Sequence, residues 1–310
     1  MRAFANTTAA GLGLCLVLIG GCGKGGSGRV DARVFGEQCQ AGGTFQLDGR
    51  AAVLATLNVD IDAEGLVQAP ASAELLLVMD AQQQGTDVGV NATLCAIELP
   101  EVPLAGQDQP IRLSVPQATV ASVGSVAGTG TLSSPDQTCA SFETDTFTIV
   151  LGARLEPIET ALLPQADDQG AFPFCAPSVD TSCDLAIGVN CACDQEGDSH
   201  GGATLQISGV PLVDLDQVYA TMRTQFSLRG EVYSSDLILG EIDASIEQGI
   251  LGCHLSAGDT CNGDQVGTVK TLNPTITQQL GNPSRFRAVR IDSSMTCAEV
   301  IDQKDMLFPR

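Results

Sequence analysis

The sequence predicts an all-β protein of two tandem related β-sandwich or small β-barrel domains, disulfide-bonded, with one larger pseudo-twofold β body as the alternative. Three observations carry this. Apolar and polar residues alternate over long stretches, the pattern of strands with one wet face. Lys, Glu and Arg are scarce beside 34 glycines and abundant Thr, Val and Ile, which fits strands joined by Gly-rich turns. The interval from Cys95 to Cys139 equals that from Cys253 to Cys297, 44 residues, which points to an internal repeat.

In the first copy, Leu57, Val59 and Ile61 alternate with Asn58, Asp60 and Asp62, and Val88, Val90, Ala92 and Leu94 continue the period. Further strands are expected at 44–47, 74–79, 111–115, 125–132 and 146–151. In the second copy Ile238, Ile242, Ile246 and Ile250 lie four apart, a helical spacing, but Gly240, Gly249 and the β-branched residues favour a long strand. The stretch 212–226 fits a helix behind Pro211 or a strand through Ala220, Met222, Thr224 and Phe226; the strand is preferred. Short helical turns are expected beside Thr138-Cys139-Ala140 and Thr296-Cys297-Ala298, with Ser134-Pro135 opening one and Asp292 or Ser294 capping the other.

The copies agree beyond their cysteines. Pro116 falls on Pro274 at the same offset of 158 as the two TCA triplets, and TFQLDG (44–49) matches TLQISG (204–209) at 160. The expected organisation is a leader over 1–21, a tether over 22–34, one β repeat over 35–156, a Pro/Cys-rich junction over 157–193 and a second β repeat over 194–310. The junction holds four prolines and four cysteines and is expected to resist regular structure.

The amino terminus reads as an export signal, with Arg2 followed by the apolar run 11–21, too short to span a bilayer. Ile19-Gly20-Gly21-Cys22 resembles the lipobox of bacterial lipoproteins. That resemblance implies acylation at Cys22, which becomes the first mature residue; Gly23, in place of the Asp that signals inner-membrane retention, implies the outer membrane. Several acyl chains anchor stably where one does not. The Gly-rich residues 23–28 then serve as a flexible tether.

Setting aside Cys15 in the leader and the lipidated Cys22, ten cysteines remain: Cys39, Cys95, Cys139, Cys175, Cys183, Cys191, Cys193, Cys253, Cys261 and Cys297. An even number in an exported chain argues for disulfides. A bridge such as Cys95 to Cys139 within a copy would contribute roughly 4 kcal/mol through chain entropy.

A formal charge of −22 repels phosphate backbones, so no nucleic-acid partner is expected. The absence of Trp and the presence of only two Tyr weigh against a sugar-stacking surface. His200 and His254 are the only histidines available as a base, so a serine hydrolase is hard to assemble. Cys191, Cys193 and His200 have the elements of a redox or zinc site, but half-cystines supply no thiolate.

The remaining constellation is DQEGDS (194–199). Asp194, Glu196 and Asp198 occupy alternating positions from which a curled loop can direct three carboxylates at a calcium ion. The segment resembles the D-x-D-G-D-G calcium loops of extracellular repeats, with Gly197 in place; it departs from them at Ser199 and Glu196, and Leu205 stands where a bidentate Glu would be. No other cofactor is expected.

The expectation is thus a lipid-anchored outer-membrane protein with a non-catalytic binding or structural role and a protein or apolar small molecule as partner. Two alternatives are a carrier of lipid or another apolar ligand inside a barrel and a hydrolase with an unrecognised site. A narrow, side-chain-filled interior would weigh against the carrier.

Overall fold

The computed structural model describes residues 39–63, 67–102, 110–175, 178, 181–210, 214–271, 273, 275–279 and 281–309. The leader, Cys22, the tether and the start of the first repeat lie outside them. The described chain is mostly β. Its strands are β1 (Gly49–Ala63), β2 (Val67–Gln84), β3 (Asp87–Glu98), β4 (Arg112–Ser114), β5 (Ser125–Leu132), β6 (Ser141–Thr144), β7 (Phe147–Leu151), β8 (Ala153–Arg154), β9 (Cys191–Ala192), β10 (Ala203–Ser208), β11 (Leu215–Ser234), β12 (Leu237–Leu255), β13 (Thr275–Gln278) and β14 (Arg285–Arg290). Four short helices join them: α1 (Gln117–Ser122), α2 (Gly263–Thr271), α3 (Cys297–Asp302) and α4 (Lys304–Leu307).

Twelve strands form one antiparallel sheet, and its pairings close a ring of eight: β1, β2, β3, β5, β6, β11, β12 and β14, with β14 returning to β1. Both predicted copies contribute to the ring, so the sheet does not divide at 157–193; of the two architectures expected, the single larger body is the one formed. Closure removes the edges that two half-sheets would each expose.

A shift by four positions around the ring carries β2 to β11, β3 to β12 and β5 to β14; the 44-residue cysteine intervals start in β3 and β12 and end after β5 and β14. The same shift carries β1 to β6, which β7 continues along the edge of β11. The match between 44–49 and 204–209 is not part of this relation: Thr44 makes only an isolated bridge, whereas β10 lies on the outer end of β11.

Alternation places Val53, Ala55, Leu57, Val59 and Ile61 of β1 inside the barrel with Val88, Val90, Ala92 and Leu94 of β3. Phe142, Phe147, Phe226 and Phe286 fill the centre, and the Phe147 and Phe226 rings stack 5.2 Å apart. Gly128 makes room for them: a Cβ there would come within 2.5 Å of the Phe147 ring. Among the described residues no helix is long and apolar enough to cross a membrane.

The run Glu74-Leu75-Leu76-Leu77-Val78-Met79 is apolar on both faces because both are covered. Leu75, Leu77 and Met79 face inward, while Leu76 and Val78 pack outside with Val300 and Phe308 of the C-terminal segment. Cys95–Cys297 staples α3 to β3, and Lys304 reaches Glu74 and Glu98 at 2.6 Å each. Burial works against the Lys304 ammonium, but these two hydrogen bonds and the charges behind them outweigh it and raise its pKa.

Two helix-start expectations are corrected. α3 is capped by Thr296, which exchanges hydrogen bonds with Glu299 in a capping box, while Asp292 accepts instead from Ser294. No helix forms at 134–140: Cys139 has a φ of 68°, outside the helical range, and its N–H donates to Val232 O at 2.8 Å. The five bridges are Cys39–Cys139, Cys95–Cys297, Cys175–Cys191, Cys183–Cys193 and Cys253–Cys261. Cys95 therefore does not pair with Cys139; β3 and the TCA loop after β5 face different partners across the ring.

Beyond the barrel, β11 and β12 continue as a hairpin that builds a second core with β10 and α2, around Leu205, Val218, Ala220, Ile250, Val266 and Val269. Between β7 and β10 the chain leaves the edge of β11 as an insertion pinned by Cys175–Cys191 and Cys183–Cys193. The predicted stapled junction lies within it.

Candidate functional site

The insertion carries the three predicted metal ligands, Asp194, Glu196 and Asp198. Its chain returns through β9, which pairs with β8, and Cys193 N–H donates to Gly152 O at 3.0 Å, fixing where the acidic loop begins. Asp194 is 2% exposed and turned into its own loop. Its Oδ1 accepts from the N–H groups of Gly197 (2.7 Å) and Asp198 (3.2 Å), and its Oδ2 from Ser199 N–H (2.9 Å). The left-handed φ values of Gly197 (78°) and Ser199 (72°) curl the backbone around this carboxylate.

Glu196 takes a different direction. Its Oε1 accepts from Thr204 N–H and, at 3.4 Å, from Thr119 Oγ1, while Oε2 is buried without a hydrogen-bond partner. Burial raises its pKa, and the charges of Asp198 and Asp194 add to that against the hydrogen bonds from Thr204. Asp198 Oδ2 accepts from Thr204 Oγ1 at 2.6 Å, and its Oδ1 accepts from His200 N–H at 3.0 Å.

The three carboxylates thus serve three separate sets of donors rather than one point. Among the described residues no group of three or more His, Cys, Asp or Glu is placed to hold a metal ion. This geometry gives the expected calcium loop no support: the acidic side chains tie the six-residue loop to itself and to β10. Alternation in sequence put the oxygens within reach of one another, but the backbone N–H groups claimed them first.

His200 stacks its ring on Tyr219, with centroids 4.3 Å apart and planes within 11°. Its Nδ1 lies 3.5 Å from Asp198 Oδ1, near enough for charge attraction but outside hydrogen-bond geometry. Tyr219 is buried beside Asp198 and Asp216, which pushes its hydroxyl up to about 12. The second histidine, His254, bonds Asp216 through Nδ1 at 2.9 Å on the outer hairpin. The two histidines therefore serve different places. All ten predicted cysteines are in disulfides, so the zinc and thiol constellations have no thiolate.

The barrel holds a cavity of about 60 Å³ near the β11–β12 turn, bordered by Val53, Met79, Val90, Phe142, Leu228 and Phe286. Pockets for small ligands run to ~300–1,000 Å³. The phenylalanines fill the space a lipid chain would need, which weighs against the carrier alternative.

One feature of the insertion escaped the sequence reading. Among the described residues, six of the seven exposed large hydrophobic residues lie within 158–189: Ile158, Leu162, Phe174, Leu185, Ile187 and Val189. The signal was present as Leu185, Ile187 and Val189 at alternate positions between Cys183 and Cys191, hidden in a segment read only as a junction. No protein-family model, curated protein or solved structure matches the chain.

Proposed function

We propose that this chain is a lipid-anchored protein of the bacterial cell envelope, acylated at Cys22, attached to the outer membrane and serving a non-catalytic binding or structural role. The observation that carries the reading is the lipobox-like Ile19-Gly20-Gly21-Cys22 ahead of a body whose ten remaining cysteines form five bridges. Disulfides persist in oxidising compartments, which is where an exported lipoprotein resides. The filled barrel interior and the Asp194 carboxylate, taken up by N–H groups of its own loop, support a role carried by the outer surface.

Mass spectrometry of the membrane fraction tests this directly. The mature N-terminal peptide is expected to begin at an acylated Cys22, and Cys22→Ala is expected to leave an uncleaved, unacylated precursor. Cleavage elsewhere, or membrane attachment unchanged by Cys22→Ala, would refute the anchor.

A further inference from the structure

We propose that the tip bearing Leu185, Ile187 and Val189 is a second membrane contact, which inserts its aliphatic side chains into the surface of an electrically neutral bilayer. Leu185 is 74%, Ile187 71% and Val189 41% exposed. Cys175–Cys191 and Cys183–Cys193 clamp the tip at its base. Asn190 N–H donates to Arg154 O (2.6 Å), Arg154 Nη1 donates to Ala186 O (2.6 Å), and Glu156 N–H donates to Asn190 Oδ1 (2.9 Å). So braced, the loop cannot fold its apolar side chains back onto the body. Exposed apolar clusters on soluble proteins mark contact sites.

Composition and charge select the occupant. Protein interfaces draw their anchoring residues from Trp, Tyr and Arg, and Leu and Val are under-represented among them. The tip from Leu185 to Val189 offers aliphatic side chains, one alanine and one glycine. Arg154 is the one Lys or Arg on the insertion, and its Nη1 donates to Ala186 O, while Asp184 and the carboxylates of the acidic loop are repelled by anionic headgroups. An aliphatic tip with a single basic residue at its base, on an otherwise acidic insertion, fits a zwitterionic surface.

Position agrees. Cys39 is bridged to Cys139, whose N–H bonds Val232 near the β11–β12 turn. The insertion leaves where Leu151 pairs with Met222, twelve residues along β11 from Ser234. At ~3.3 Å per strand residue that is about 40 Å. The sixteen residues between Cys22 and Cys39 can extend to about 55 Å. Anchor and tip can therefore reach one bilayer, with the barrel lying along it.

The test is independent of acylation. Residues 23–310 keep the whole disulfide-bonded body and lack Cys22, so co-sedimentation with phosphatidylcholine vesicles reads the tip alone. Binding is expected, to fall at least tenfold with Leu185→Asp combined with Ile187→Asp, to weaken when phosphatidylglycerol is added, and to be unaffected by Met306→Asp, an exposed apolar site on α4. Thermal melting of the double variant, expected unchanged, separates lost binding from misfolding. Absence of vesicle binding, equal loss with Met306→Asp, or self-association in lipid-free solution abolished by the double variant would overturn the proposal, the last outcome assigning the tip to a second copy.

Discussion

The barrel and the insertion are stabilised in opposite ways. In the barrel, Val53, Phe147, Phe226 and Phe286 are almost wholly withdrawn from water, and each strand's register is fixed by which residues must face inward. In the insertion, large hydrophobic residues stand in solvent while cystines and carboxylates hold the shape. Apolar burial is shared among many neighbours, so its loss is felt by the whole cooperative unit; a covalent clamp or an Asp-bound turn acts locally. The scaffold therefore leaves an apolar surface exposed that a core-built fold would bury.

Paired substitutions can break this contrast. Phe226→Ala is expected to cost about 3–5 kcal/mol and to lower the unfolding midpoint of the entire molecule. Asp194→Ala strips three N–H groups of their acceptor and is expected to cost roughly 2 kcal/mol, because the freed groups of Gly197 to Ser199 can reach water. Hydrogen exchange distinguishes the two: Asp194→Ala should speed exchange in the insertion and spare β1 to β3. Uniform loss of protection in both variants would show that the regions are one cooperative unit.

The smallest effect comes from Glu196. Its folded pKa lies above the unfolded value, so the folded state binds the proton more tightly, and stability falls as pH rises from the unfolded pKa through the folded one. Glu196→Gln is expected to raise the unfolding free energy at pH 7 by under about 1 kcal/mol after screening, read by chemical denaturation, and to give no gain near pH 4. A gain of equal size at both pH values would mean that charge is not the cause.

Much of the barrel was legible locally. The alternation of Leu57, Val59 and Ile61 predicts the inward face of β1, the stretch 125–132 coincides with β5, and the isoleucines of 238–250 lie on β12 as expected. The two 44-residue intervals begin in β3 and β12 and end after β5 and β14. Closure was not legible, because it depends on pairings between distant segments, such as β14 with β1 and β6 with β11, that no local period encodes. The acidic loop shows the same limit: side-chain oxygens can be counted in a sequence, but not the backbone donors that will take them.

The claim that both halves close a single barrel is tested most directly by disulfide mapping of the native, unreduced protein. One ring predicts peptides linking Cys95 to Cys297 and Cys39 to Cys139. Linkage of Cys95 to Cys139 together with Cys253 to Cys297 would restore two independent domains and contradict it.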